Sequence, residues 1–311
     1  MPDSGSDLNH TADAQGVCRD RALSAVLLAV SGPYMTDTAR AKSGSFDQDH
    51  HVREHVMNDS SARKLTGFLL ILTPVAFNVF FTWLSMIFEY PDILRKPASE
   101  VLRTFDEGGD QLVAVWYAFM LTAVLFIPLA VLVHRVLARP DTPFMAIATA
   151  FGITAGIVQF LGLIRWPFLV PYLADTYLDP ESSESTRESS VVVFEAFNRY
   201  AGVAVGENLG YLFTATWTAL AAIAMLGSAV PWRSWLAGLG MIAAAGILIG
   251  TLEPAGFDAA GNIVVFGYIL WSIWLAVFGV FVLRTRSLGS PTTRTDPASA
   301  LTSHVDPLAG R

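Results

Sequence analysis

The chain has 311 residues, of which 53% are hydrophobic and only 15% are charged, and its formal net charge is -7. A soluble domain carries about 25% charged residues, so this composition excludes an ordinary water-soluble protein and predicts a membrane protein. The negative charge argues against a nucleic-acid partner, because phosphate binding needs clustered lysine and arginine, and the single cysteine, Cys18, excludes an intrachain disulfide.

Residues 1–61 are polar and predict a disordered leader. The apolar piece "RALSAVLLAVS" at 21–31 resembles a signal-peptide core, but cleavage there would leave the next segment outside, against the charge bias described below. We therefore favour a disordered leader or one that precedes the true start, for which Met57 is a natural candidate. "HVREH" at 51–55 has the spacing of a zinc site but no third ligand and no cleft, so we predict no metal site.

Six segments have the roughly 20 apolar residues that a helix needs to cross the hydrocarbon. They lie at about 66–88, 112–135, 144–164, 207–229, 234–252 and 263–283. Lysine and arginine near the span ends predict that both termini are cytoplasmic. The residues that carry this bias are Arg53, Arg63, Lys64, Arg135, Arg139, Arg233, Arg284 and Arg286. The sequence thus predicts an all-α, polytopic helical bundle with six transmembrane helices over 62–286, and a disordered tail at 287–311.

The connection between the third and fourth spans, about residues 165–206, is predicted to form a cap over the outer end of the bundle. Its first part, "RWPFLVPYLADTY", is too apolar for a solvated loop and is interrupted by Pro167 and Pro171, which disfavour a continuous helix. We expect this part to be re-entrant or to lie at the membrane surface. Residues 189–203, "SSVVVFEAFNRYAGV", predict a helix that leads into the fourth span.

Polar side chains recur at helical spacing within the spans. Glu207, Tyr211, Thr214 and Thr218 share one face of the fourth span, with Asn208 beside them, whereas Gly202, Gly206 and Gly210 share another face that allows close approach of a neighbouring backbone. The first span carries Asn78 and the third carries Gln159. Lipid offers these groups no partners, so we expect them to face one another, either as hydrogen bonds between helices or around a cavity.

Arg165 and Glu207 both fall at the predicted outer end of a span. An ionised carboxylate near hydrocarbon needs a partner, and an arginine can bind both of its oxygens. We expect these two residues to meet, either as a structural contact between the third and fourth spans or as a pair that orients a ligand. The candidate ligand-binding residues are therefore Arg165, Glu207, Asn208, Tyr211, Gln159 and Asn78.

Three stretches, "YPDILRKPASEVLRTFDEGG", "LGLIRWPFLVPYLA" and "VFEAFNRYAGVAVGENLGYLFTATW", resemble a bacterial family of multi-pass membrane proteins catalogued only as a domain of unknown function. The resemblance covers about residues 62–285. It implies an integral helical bundle of the bacterial inner (cytoplasmic, or plasma) membrane and implies no activity and no catalytic residues.

The spans contain no cysteine, and His134 is their only histidine, so we predict no enzymatic activity and no cofactor. The leading hypothesis is a membrane protein, surrounded by the lipid bilayer, that binds a small ligand or a protein partner at its outer face. The alternative is a small secondary transporter, which the glycine-rich spans and polar faces favour. The absence of an ionisable residue near the middle of any predicted span argues against that alternative.

Overall fold

The computed structural model of the protein describes residues 45–227 and 233–284, and all regular structure in these ranges is helical. The α-helices are α1 (Ser45–Phe88), α2 (Ala98–Leu137), α3 (Met145–Leu163), α4 (Arg165–Phe168), α5 (Val170–Leu178), α6 (Glu184–Phe197), α7 (Gly210–Leu226), α8 (Arg233–Ile249) and α9 (Ala260–Arg284). Two 3₁₀-helices, Asp92–Arg95 and Gly250–Ala255, and a π-helix, Asn198–Leu209, complete the described elements.

Six helical stretches of the described chain are long and apolar enough to cross a membrane, which confirms the predicted six-span bundle. They are Ser60–Phe88, Ala98–Leu137, Met145–Leu178, Glu184–Leu226, Ser234–Ala255 and Ala260–Arg284. Large apolar side chains such as Phe68, Ile147 and Ile242 lie exposed on the outer surface, as lipid-facing residues do. The orientation of the termini remains a prediction from the charge pattern.

Residues of the predicted leader take part in the first helix. The chain divides into two compact units after His55, and the six spans belong to the second unit. α1 nevertheless begins at Ser45 rather than near residue 66, because no proline or glycine interrupts the chain between those positions. The signal-like piece at 21–31, Cys18 and the tail at 287–311 lie outside the described residues.

The second span also begins earlier than predicted, at Ala98 instead of residue 112. A kink at Gly109 divides α2, and its φ of +52° is one that glycine adopts without the steric cost of a side chain. Before the kink, Leu102 and Phe105 are buried in one cluster with Leu173 and Phe194 of the cap. The cap therefore rests on an extension of the second span.

The two cap prolines interrupt the helix without unwinding the chain. The helix is interrupted by single turn residues at Ile164 and Leu169, whose φ and ψ stay in the right-handed helical region, and helices resume directly as α4 and α5. Pro171 lies at the start of α5, where a backbone N–H would have no helical partner in any case. Trp166 of α4 is 1% exposed, and its ring stacks on that of Trp116 with centroids 4.4 Å apart.

The third span and the π-helix approach each other at two glycines. A Cβ atom placed on Gly162 would lie 2.5 Å from the Cα atom of Gly206, closer than real Cβ contacts. Sequence analysis predicted that Gly206 admits a neighbouring backbone, and Gly162 supplies that backbone. The contact brings the start of the cap against the fourth span and so positions the residues described next.

Candidate ligand-binding cavity

The π-helix Asn198–Leu209 places the polar start of the fourth span at the wall of a cavity. Its hydrogen bonds join residues five apart instead of four, so each turn is wider than an α-helical turn. Sequence analysis assumed α-helical spacing and placed Gly202 and Gly206 on a different face from Glu207. In the structure all three line the same cavity, because the wider turn changes which residues share a face.

The cavity has a volume of about 510 Å³, within the range of sites that hold small molecules. All six spans contribute to its wall. The structure brings all six candidate residues to this wall, namely Asn78, Gln159, Arg165, Glu207, Asn208 and Tyr211. Ligand binding by these residues remains a prediction, but their convergence shows that the polar faces surround a cavity as well as joining helices.

Three amide side chains of the wall donate hydrogen bonds to neighbouring helices. Asn78 donates from Nδ2 to the carbonyl oxygen of Pro74 at 2.7 Å and to Ser272 Oγ at 2.9 Å. Gln159 Nε2 donates to Thr214 Oγ1 at 2.9 Å.

Asn208 Nδ2 donates to the carbonyl oxygen of Thr251 at 3.3 Å. The amino groups of all three amides are thus used within the protein. Their carbonyl oxygens make no hydrogen bond to any described residue.

Arg165 is 7% exposed and does not form the expected ion pair with Glu207, since no nitrogen of its side chain lies within 4 Å of a Glu207 carboxylate oxygen. Its Nη1 donates to the carbonyl oxygen of Gly162, and its Nη2 donates to Asn198 Oδ1 at 3.0 Å. The guanidinium also lies 5.1 Å from the Trp166 ring centroid. These contacts use the guanidinium to join the third span to the π-helix, so the prediction of a direct Arg165–Glu207 pair was wrong.

Glu207 is half-buried and lines the cavity instead of facing lipid. Within the described ranges its carboxylate has no hydrogen bond and no ion pair. A carboxylate in this setting costs free energy that a partner would normally offset. Glu207 therefore has unused capacity to accept hydrogen bonds and to bind a cation.

The rim of the cavity carries an ion pair that sequence analysis missed. Arg95 Nη2 lies 3.7 Å from Glu253 Oε1, and Arg95 Nη1 lies 3.3 Å from Asp92 Oδ1. The Arg95–Glu253 pair joins the connection after the first span to the end of the fifth span. Residues so far apart in sequence gave no local signal of this contact.

One wall of the cavity is a continuous series of aromatic rings, which we call the aromatic wall. Its members are Tyr211, Tyr268, Phe77, Phe119, Phe81 and Tyr90. Successive ring centroids lie 6.0 Å (Tyr211 to Tyr268), 5.8 Å (Tyr268 to Phe77) and 5.3 Å (Phe77 to Phe119) apart. Burial raises the pKa of the Tyr90 phenol, so this ring lines the cavity in its neutral form.

The contact between Arg165 and Asn198 leads to a stability prediction. Asn198→Ala should destabilise the protein by about 1.5–2 kcal/mol, because it leaves a donor of a buried guanidinium without its acceptor. Asn208→Ala is the matched control, since it removes a neutral hydrogen bond from the same π-helix and should cost about 1 kcal/mol or less. Unfolding in mixed micelles measures both, and equal losses would contradict a charge-assisted role for Asn198.

The family model described as domain of unknown function DUF4386 matches residues 65–288. The chain belongs to the DUF4386 family. The match covers all six spans of this DUF4386 protein and every residue of the cavity wall, which confirms the family resemblance seen in the sequence. No curated protein and no solved structure matches the chain.

Proposed function

We propose that this DUF4386 protein binds a small molecule in its cavity without catalysing a reaction, in the inner membrane of a bacterium. The observation that carries the proposal is the Glu207 carboxylate, which makes no hydrogen bond or ion pair to a described residue, at the wall of a cavity of about 510 Å³. Membrane proteins keep ionisable groups near the hydrocarbon chiefly where those groups serve a function. The described lining residues include no histidine, cysteine or serine, which supports binding over catalysis.

Access to the cavity is tested by labelling single cysteines with a membrane-impermeant methanethiosulfonate reagent. In a Cys18→Ala background, Thr82→Cys should react in intact cells, because Thr82 lines the cavity and we propose that the cap end faces outward. Ile242→Cys should not react, because Ile242 is 62% exposed on the outer, lipid-facing surface. Reaction of Thr82→Cys only in inside-out vesicles would reverse the proposed orientation, and no reaction in either preparation would contradict an open cavity.

Binding is tested with the same cysteine by protection from labelling. A small-molecule fraction of cell extract should slow the labelling of Thr82→Cys in lipid nanodiscs, because a bound molecule covers that side chain. Glu195→Cys is the control, since Glu195 is exposed on α6 and does not line the cavity. Equal labelling rates with and without the extract would argue against a cellular ligand.

A small secondary transporter is the second candidate. The helix breaks around the cavity favour it, because transporters commonly form their sites from discontinuous helices. These breaks are the π-helix, the interruptions at Ile164 and Leu169, and the 3₁₀-helix Gly250–Ala255. Flux of a bound molecule into proteoliposomes would support transport, whereas binding without flux would support the first proposal alone.

A further inference from the structure

The polar groups of the cavity differ in whether their charges and hydrogen-bonding atoms are already used within the protein. Four charged side chains line its described wall, namely Arg95, Arg165, Glu207 and Glu253. Arg95 and Glu253 face each other at the rim at 3.7 Å. Arg165 donates to Gly162 and Asn198 within the protein.

The Arg165 side chain is 7% exposed, and its Nε is fully buried without a hydrogen-bond partner among the described residues. Each Nη carries a second N–H, so the guanidinium keeps donors beyond the two that it uses. Among the described lining residues, Glu207 is the charged residue whose charged atoms make no hydrogen bond and no ion pair.

The amide side chains of the wall also leave hydrogen-bond acceptors unused. Asn78 and Asn208 donate their amino groups to backbone carbonyl oxygens, which can only accept, so the orientation of both amides is fixed by their partners. Gln159 Nε2 donates to the hydroxyl of Thr214, a partner that can also donate and so does not fix the amide. The oxygens of Asn78 and Asn208 and the Glu207 carboxylate remain as acceptors. Asn198 is the exception, because its oxygen accepts from Arg165 and its amino group remains a donor.

A ligand that satisfies Glu207 and the free amide oxygens must supply hydrogen-bond donors and a positive charge. Its body must also suit the aromatic wall, whose faces attract cations and bury apolar surface. A carboxylate ligand would face the like charge of Glu207, and the Arg165 guanidinium that could offset it belongs to a side chain that is only 7% exposed. An uncharged alcohol would satisfy acceptors but leave the charge of Glu207 unmatched.

We infer that the ligand is a protonated organic amine, whose ammonium group binds Glu207 and whose apolar body packs on the aromatic wall. This inference rests on the proposed function and names the chemical class of its ligand. The ammonium donates hydrogen bonds to the Glu207 carboxylate and to amide oxygens of the same cavity. Tyr268, between Tyr211 and Phe77 in the aromatic wall, supplies a π face to the body of the ligand.

Four probes of nearly equal shape test this inference with the full chain in lipid nanodiscs. They are phenethylamine, phenethyltrimethylammonium, phenethyl alcohol and 3-phenylpropionate, each at matched ionic strength. Kd is obtained from the dependence of the unfolding temperature on probe concentration. We expect phenethylamine to bind about tenfold more tightly than the alcohol, because a charge-assisted hydrogen bond replaces a neutral one. The trimethylammonium probe, which has charge but no N–H donor, should lie between them, and the carboxylate should bind most weakly.

Variants locate the selectivity within the cavity. Glu207→Gln should remove the tenfold preference for the amine over the alcohol. Glu253→Gln and Glu195→Gln should retain this preference, because the Glu253 carboxylate lies at the rim and the Glu195 carboxylate lies outside the cavity. Tyr268→Phe should keep amine binding, and Tyr268→Leu should weaken it about tenfold, since the aromatic face that packs on the body of the ligand is lost.

Three results would overturn the inference: equal binding of the amine and the alcohol, tighter binding of the carboxylate, or a preference that survives Glu207→Gln. Binding of the alcohol or the carboxylate would still support a ligand-binding cavity. Failure of all four probes would also overturn the amine assignment, and the protection of Thr82→Cys would then decide separately on the proposed function.

Discussion

Trp166→Ala is expected to destabilise the protein by about 3–5 kcal/mol, the cost of removing a large side chain from a packed core. The Trp166 ring stacks on Trp116 at an interplanar angle of 9° and also contacts Phe88 and Phe105 at centroid distances of 5.4 and 5.9 Å. These neighbours come from the first and second spans, so the loss should separate the cap from the spans beneath it. Titration with SDS in mixed micelles, followed by tryptophan fluorescence, measures the loss.

Trp235→Ala is the matched control for this variant, because Trp235 is 52% exposed and its described ring partner is Phe281, at 5.9 Å. We expect its effect to stay below about 1 kcal/mol, since little packing is lost at an exposed site. Comparable losses for the two tryptophans would mean that the cap core contributes no more to stability than a side chain on the bundle surface does.

Gly162→Ala is expected to cost about 3 kcal/mol, at the upper end of the usual range for overpacking. The added Cβ would lie 2.5 Å from the Gly206 Cα and 3.0 Å from the carbonyl oxygen of Ala201, so the clash is with backbone that no rotamer change can relieve. Because Gly206 immediately precedes Glu207, the shift should also alter the cavity. The stability assay above and the Kd for phenethylamine measure the two effects.

Gly238→Ala is the control for glycine replacement within a helix. A Cβ at this position of α8 would meet nothing within 4 Å, so the change should stabilise the helix by about 0.5–1 kcal/mol through its higher helix propensity. If Gly162→Ala changes the free energy of unfolding by no more than Gly238→Ala does, the result would argue against a tight contact between the third span and the π-helix.

The bundle and the convergence of its polar groups could be predicted from the sequence because lipid imposes a simple constraint. Apolar runs of sufficient length defined the six spans, and the lack of partners in lipid placed Asn78, Gln159 and Glu207 toward the interior. The start of the second span was less predictable. Charged residues before Gly109 made residues 98–108 resemble a loop, although their apolar side chains are buried against the cap.

The details of the cavity depended on geometry that residue spacing does not reveal. The π-helix changes the angular spacing of its residues, and Gly206, which contacts Gly162 as predicted, also lines the cavity with Glu207. Opposite charge alone suggested that Arg165 would bind Glu207, but the nearer Gly162 carbonyl and Asn198 amide use the guanidinium. The rim pair of Arg95 with Glu253 and the aromatic wall join distant segments, which a single sequence does not bring together.

The long π-helix also affects how this wall of the cavity can change during evolution. A π turn holds one more residue than the α turn that would replace it, so loss of a single codon within Asn198–Leu209 would favour ordinary i→i+4 bonding. The segment on one side of the deletion would then rotate by about 100° relative to the other. A one-residue length difference between relatives in this segment would therefore redirect the Glu207 carboxylate relative to the cavity.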